Sequence, residues 1–126
     1  MREIKFRVWD EERKKMAKVF CLYSEKSIEY RYKSSIVRLR KWEDKFEVMQ
    51  YTGLKDKNGK EIYEGDIVKE RWEYDRATII KGKVIFKDGM FVLRDCDGKY
   101  HILNETAEVI GNIYENPELI KKCKNV

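Results

Sequence analysis

The sequence predicts a mainly β (or α+β) fold, and three features carry that prediction. Apolar residues recur at the two-residue period of half-buried strands, as where Ile4, Phe6 and Val8 alternate with Lys5, Arg7 and Trp9. Glycine-containing turns recur at short intervals through the C-terminal half. Between the halves lies the stretch 48–69, VMQYTGLKDKNGKEIYEGDIVK, around which the chain is organised. Within it Asn58-Gly59, at the tip Asp56-Lys57-Asn58-Gly59, tolerates positive φ and closes a tight hairpin. Gly53 and Gly65, the latter followed by Asp66, end one element and redirect the chain into the next.

In chain order, Asp10 to Lys15 is a charged turn and Met16 to Leu22 the returning strand. Good helix formers from Glu11 to Lys18 offer a helix instead, but the β-favouring run Val19-Phe20-Cys21-Leu22-Tyr23 and the lack of an apolar stripe at helical spacing favour the hairpin. Ser27 to Tyr32 is a short strand, and Ser35 to Trp42 pairs with Phe46 to Gln50 across Glu43-Asp44-Lys45. Strands are expected from Gly65 to Lys69, Lys83 to Lys87, Met90 to Arg94, Lys99 to Leu103 and Glu108 to Tyr114, with a polar excursion over Arg71 to Arg76. Five short strands with a longer loop after the first is the layout of a small SH3-like barrel. Asn116, Pro117 and Glu118 start a short C-terminal helix through Cys123, whose Lys121, Lys122 and Lys124 suit its negative pole. The organisation is thus an N-terminal lobe of β-hairpins (1–48), a connecting hairpin (49–64), an SH3-like barrel (65–114) and a C-terminal helix or tail (115–126). The lobe packs on the barrel through a joint core of Trp9, Met49, Tyr51, Leu54, Ile62, Tyr63, Ile67 and Val68.

The run from Met49 to Val68, MQYTGLKDKNGKEIYEGDIV, resembles the signature segment of the YopX family, small proteins encoded by phages and prophages. Ile4-Lys5-Phe6-Arg7-Val8-Trp9-Asp10 is similar to that family's opening, whereas 20–46 departs freely. The resemblance implies an SH3-type barrel in the C-terminal half and a bacterial host cell. It carries over no activity and no catalytic or binding residue.

Composition narrows the chemistry. Charged residues make up 40% of the chain, but aromatics at 13% are too many for a disordered one, and 126 residues suffice to bury a core. No apolar run is long enough to cross a bilayer and the start lacks a signal-peptide core, so a cytoplasmic protein without membrane association is expected. Cys21, Cys96 and Cys123 are odd in number, far apart and without a CxxC pair, which predicts reduced thiols and no metal site. The lone histidine, His101, has no evident partner cluster, and Gly53, Gly59, Gly65 and Gly82 form neither a P-loop nor a dinucleotide fingerprint. The expectation is a binding module with no catalytic residue, cofactor or metal.

Two surfaces are candidates. The formal charge of +5 comes entirely from residues 1–48, with 14 Lys and Arg against 9 Asp and Glu. Within them Tyr30, Arg31, Tyr32, Lys33, Arg38, Arg40, Lys41 and Trp42 have no acidic residue among them. Cations that displace condensed counterions from phosphate, beside rings that stack on bases, are the elements of a nucleic-acid-binding segment. Alternating Arg and Lys are more commonly the ordinary solvent face of an antiparallel sheet, which leaves nucleic-acid binding as the alternative to a protein partner or self-assembly. The other candidate is Trp72 and Tyr74, aromatic anchors for a protein partner or a second copy of the chain, or rings folded back over the barrel end.

Overall fold

The computed structural model describes residues 3–120, which hold eleven strands and a single 3₁₀ turn. The mainly β expectation holds. The strands form two antiparallel sheets, and the chain divides into two compact units, Met1–Tyr51 and Thr52–Val126.

In the first unit β1 (Phe6–Asp10), β2 (Lys15–Ser24), β3 (Ser27–Tyr32) and β4 (Ser35–Arg40) follow one another as hairpins, but β5 (Phe46–Lys55) pairs with the free side of β1, so the expected hairpin of 35–42 with 46–50 does not form. The first half of β2 pairs with β1 and its second half with β3. Between them the register shifts at Val19/Cys21 and again at Leu22/Ser24. Such bulges bend a strand and sharpen its twist. The β3–β4 hairpin accordingly closes over β1, and Val8, Ile28, Tyr30, Leu39 and Phe46 form one buried cluster.

Asp10, fully buried, fastens that closure. It accepts the Tyr30 hydroxyl at 2.7 Å, the Arg13 guanidinium at 3.0 Å and the main-chain N–H groups of Glu12 and Arg13. Burial acts to raise its pKa, but hydrogen bonds from Tyr30 and Arg13 outweigh burial and hold the carboxyl below its ordinary value. Tyr30 is pushed upward, by burial first and then by the Asp10 carboxylate it donates to.

The second sheet runs in the order β10-β9-β8-β7-β11, from β7 (Asp66–Trp72), β8 (Asp75–Lys87), β9 (Met90–Asp95), β10 (Tyr100–His101) and β11 (Glu108–Asn112). The short β6 (Glu61–Tyr63) instead pairs at the end of the first sheet, next to β5. Ile62, Val68, Ile80, Val84, Leu93, Leu103 and Ala107 make the core of this unit. Its sheet does not close: the edges are β10 and β11. β10 is only two residues long, because at Asn104 the chain leaves the ladder for a turn in which Asn104 accepts the N–H groups of Thr106 and Ala107.

Other expectations need adjusting. The excursion at Arg71 to Arg76 is the tip of a long β7–β8 hairpin, with Arg71 paired to Ile79. Its outer turns are exposed on both faces, so no alternation marked them as strand. Of the expected C-terminal helix the described residues contain the 3₁₀ turn Pro117–Leu119, and the Asn116 side chain does not cap it. The Asn116 amide oxygen accepts the Asn112 N–H instead. The remainder of the expected helix, with Lys121, Lys122 and Lys124, lies outside the described residues. Of the expected core residues seven are buried and Leu54 is 48% exposed. Cys21 carries a free thiol, but Cys96 is disulfide-bonded, so the expectation of reduced thiols fails there. Which cysteines approach is set by the fold, and sequence spacing does not encode it.

The hairpin at 56–60 is organised by the buried Asp56. Its Oδ1 accepts the N–H groups of Asn58 and Lys60 at 2.8 and 2.9 Å, and its Oδ2 accepts that of Val109 in β11 at 2.9 Å. Burial opposes ionisation, yet the bonds from Val109, Lys60 and Asn58 win and lower the pKa. At the next reversal Gly65 has φ +85°, and its N–H donates to Val84 while its carbonyl accepts from Ile113. Asp66 accepts the Tyr63 N–H at 2.8 Å across the same turn. Gly82 serves a different need: a Cβ there would lie 2.2 Å from the Arg94 carbonyl oxygen on β9.

Two outcomes follow from these contacts. Gly65→Val and Gly82→Ala should each cost about 2 kcal/mol or more in denaturant unfolding, the first through backbone strain and the second through a clash with main chain. A cost below about 0.5 kcal/mol would contradict the respective geometry. The lowered carboxyls of Asp10 and Asp56 contribute stability that is complete above their unfolded pKa, ordinarily 3.8, and lost as pH falls through the folded value. The melting temperature should therefore decline below about pH 4, and Asp56→Asn should make that decline shallower. An unchanged acid profile in the variant would remove Asp56 from this role.

Candidate functional site

Strand pairing sorts the basic segment between two faces of the first sheet. Tyr30 pairs with Val37 and Ile28 with Leu39, all on the buried side. Glu29 pairs with Arg38 and Arg31 with Ile36, so these side chains stand together on the outer side. Tyr30 is thereby withdrawn from any ligand, locked to Asp10. Tyr32 is on the Tyr30 side at the strand end, with the Lys15 and Lys33 ammonium groups 4.6 and 5.4 Å from its ring centre. Arg13, Lys14 and Lys15 line a recess with it, although Arg13 is paired with Asp10 and Lys14 with Glu11.

On the outer face the Arg31 guanidinium lies 4.1 Å from the ring centre of Phe20, which is 49% exposed. Phe20 follows Val19, which packs on the core, so alternation puts it on the outer face, and the bulge after Val19 brings Cys21 to that face too, opposite Glu29. Arg38 bonds Glu29 at 2.6 Å, and Tyr23, whose hydroxyl contacts Cys21 and Glu29, stands beside them. Those contacts raise the Tyr23 pKa, with Cys21 the leading cause. Arg40 reaches over Trp42, which is 71% exposed, at 5.9 Å. Lys41 donates to the Phe46 carbonyl, covers the buried Phe46 ring and approaches Glu47. The structure thus assembles Arg31, Arg38, Arg40 and Trp42, diverts Tyr30, Tyr32 and Lys41, and adds Phe20, Tyr23 and Ile36. The five residues Val19 to Tyr23 were the hint of the added rings, but a continuous run does not say which of its residues face outward.

In the second unit Trp72 and Tyr74 stand at the β7–β8 tip, ring centres 5.6 Å apart and nearly perpendicular. With Tyr100, Ile102 and His101 they line a cleft of about 180 Å³. Glu70, 3% exposed, forms part of its wall. One of its oxygens accepts the Asn104 N–H at 3.1 Å, and burial raises its pKa, against the smaller opposing influence of that bond and of His101. His101 Nε2 lies 2.6 Å from Asp95 Oδ2, a partner that sequence spacing did not reveal. Among the described residues no group of three or more His, Cys, Asp or Glu converges to hold a metal ion. Nor is any helix among them long and apolar enough to cross a membrane.

The family model described as YopX protein matches residues 5–121. The chain belongs to the YopX family. It is similar to the solved structures of YopX from Bacillus subtilis (26% identity, TM-score 0.66) and of EF1440 from Enterococcus faecalis (28% identity, TM-score 0.63). Each alignment covers 96% of this chain and all of the other. No curated protein matches the chain. The segments that carry the YopX resemblance, 4–10 and 49–68, build β1, the end of β5, the Asp56 hairpin, β6 and the start of β7. Phe20, Arg31, Trp72 and Tyr74 all lie outside them.

The placement of Cys21 tests the assignment of faces. A thiol reagent should modify it in the folded protein, with peptide mapping locating the adduct at Cys21 and none at disulfide-bonded Cys96. If Cys21 reacts only after denaturant is added, the outer face has been drawn wrongly.

Proposed function

We propose that this YopX-family chain is a non-enzymatic binding module, of phage or prophage type and acting in the cytoplasm of a bacterial host. Its principal ligand is single-stranded nucleic acid, held on the outer face of β2, β3 and β4. The observation that carries this reading is the exposed Phe20 ring with Arg31 stacked on it, continued by Arg38, Arg40 and Trp42. Unpaired bases stack on such rings, and guanidinium groups beside them meet the phosphates, whereas duplex DNA keeps its bases out of reach. The net charge of +5 gives long-range attraction of the right sign.

A second reading, docking of a protein partner or of another copy of the chain, is favoured by one feature. Trp72 and Tyr74 form an edge-to-face pair at a strand tip where Tyr74 is 80% exposed. Rings held rigid at low entropic cost are the usual anchors of such contacts. On this reading the five-stranded sheet is an SH3-type arrangement left open between β10 and β11.

Fluorescence anisotropy with a labelled single strand, at about 50 and about 200 mM salt, tests the principal reading. Binding stronger than about 100 μM at the lower salt, weakening as salt rises and exceeding that for duplex, is the expected result. Phe20→Ala should weaken it roughly fivefold or more, and Arg31→Ala should reduce the salt slope by about 1. Absence of salt-dependent binding, or equal affinity in both variants, would remove the outer face as the ligand surface.

A further inference from the structure

We propose that the cleft at the β7–β8 tip is a receptor for a cation, an ammonium-bearing side chain of a protein partner, lysine or its methylated form. This rests on the second reading above and names the chemistry of its partner.

Trp72 and Tyr74 present rings to one small opening, Tyr100, with the Lys87 ammonium 4.7 Å from its ring centre, lies on its rim, and Glu70 and Glu73 border it. Aromatic faces attract ammonium groups through their quadrupole, most strongly when the cation is desolvated. Glu70 makes the site more than a patch of rings. Its side chain is almost wholly buried in the cleft wall; among the described residues it accepts one hydrogen bond, from the Asn104 N–H to Oε1, while Oε2 takes none and is not sealed from solvent. A buried carboxylate needs a counter-charge. Among the described residues no strong one faces it: of the leading charges acting on Glu70, His101 is favourable while Glu105 and Glu73 oppose. His101 is itself engaged with Asp95, Arg76 is engaged with Glu105, and Arg71 donates to the Arg76 carbonyl. An incoming cation would complete the pair. About 180 Å³ admits a single ammonium head with its methyl or methylene groups but not a drug-sized ligand.

The experiment is a two-dimensional ¹⁵N NMR titration of the full chain with tetramethylammonium chloride. Sodium chloride and tert-butyl alcohol serve as the salt control and the neutral isostere. Saturable shifts of the Trp72 indole and of the Tyr74 and Asn104 amides with the ammonium ion alone are expected. Peptides carrying lysine or trimethyl-lysine follow: preference for the methylated form identifies a modification reader, and equal binding identifies a lysine-bearing partner, both supporting the cation site. Glu70→Gln should weaken binding about tenfold or more; because Glu70 is buried, the exposed variants Tyr74→Ala and Glu73→Gln provide the same test in a fold that is not at risk. Equal response to the neutral isostere, no saturable shift, or unchanged affinity in Tyr74→Ala would overturn the proposal. Protein–protein capture that persists while every cation fails leaves the docking reading standing and this site refuted. Nucleic-acid binding, read by Phe20 and Arg31, is independent of either result.

Discussion

Two oxygens of one buried carboxylate, Asp56, hold three main-chain N–H groups contributed by its own hairpin and by β11, whose Val109 is 53 residues away in sequence. The constraint it meets is general for a small β protein. Wherever strands reverse, main-chain donors leave the ladder, and burying them without acceptors is costly. Asp10 does the same at the first hairpin and Asp66 at the β6–β7 turn. Each is buried, and each accepts main-chain hydrogen near a chain reversal. The hydrophobic clusters of the two units depend on turns fixed in this way, because register decides which face every side chain occupies.

The two units differ in the sign of what they present. In the first, guanidinium groups lie over exposed rings on one sheet face, and its surplus of Lys and Arg accounts for the whole net charge. In the second, the aromatic cleft is bordered by Glu70 and Glu73, with cations nearby already committed to Glu105 and to main chain. One surface is suited to an anion that carries flat bases, the other to a compact cation. Neither surface draws on the segments 4–10 and 49–68, whose residues build turns and core. Those two segments thus supply scaffold, and both surfaces are built by other strands.

Much of the scaffold could be read from residues. Asn58-Gly59 and Gly65 mark reversals at which the structure has glycine in the left-handed region. Ile4 to Val8 and Ser35 to Arg40 alternate as strands do, and β1 and β4 cover most of these residues. Leu54 escaped for a specific reason: Gly53, at φ +88°, breaks the pleat, so that Tyr51 and Thr52 are both buried and Leu54 turns out. The β7–β8 hairpin escaped because its tip buries nothing on either side. Tyr30 reads as a ring in a basic segment until Asp10, twenty residues earlier, is found to hold it.

By itself the sequence determined the strand class, the places of reversal and the family, since period, glycine and turn chemistry act over a few residues and need no partner. Tertiary structure decided which rings and cations share a face. Pairing of β2 with β3 puts Phe20 beside Arg31 and sends Tyr30 inward, and Glu70 and Trp72 of β7 meet Tyr100 of β10 only where separate strands converge. Facing in a sheet is a property of register between strands, so the information that assembles both surfaces is distributed over segments that local patterns do not connect.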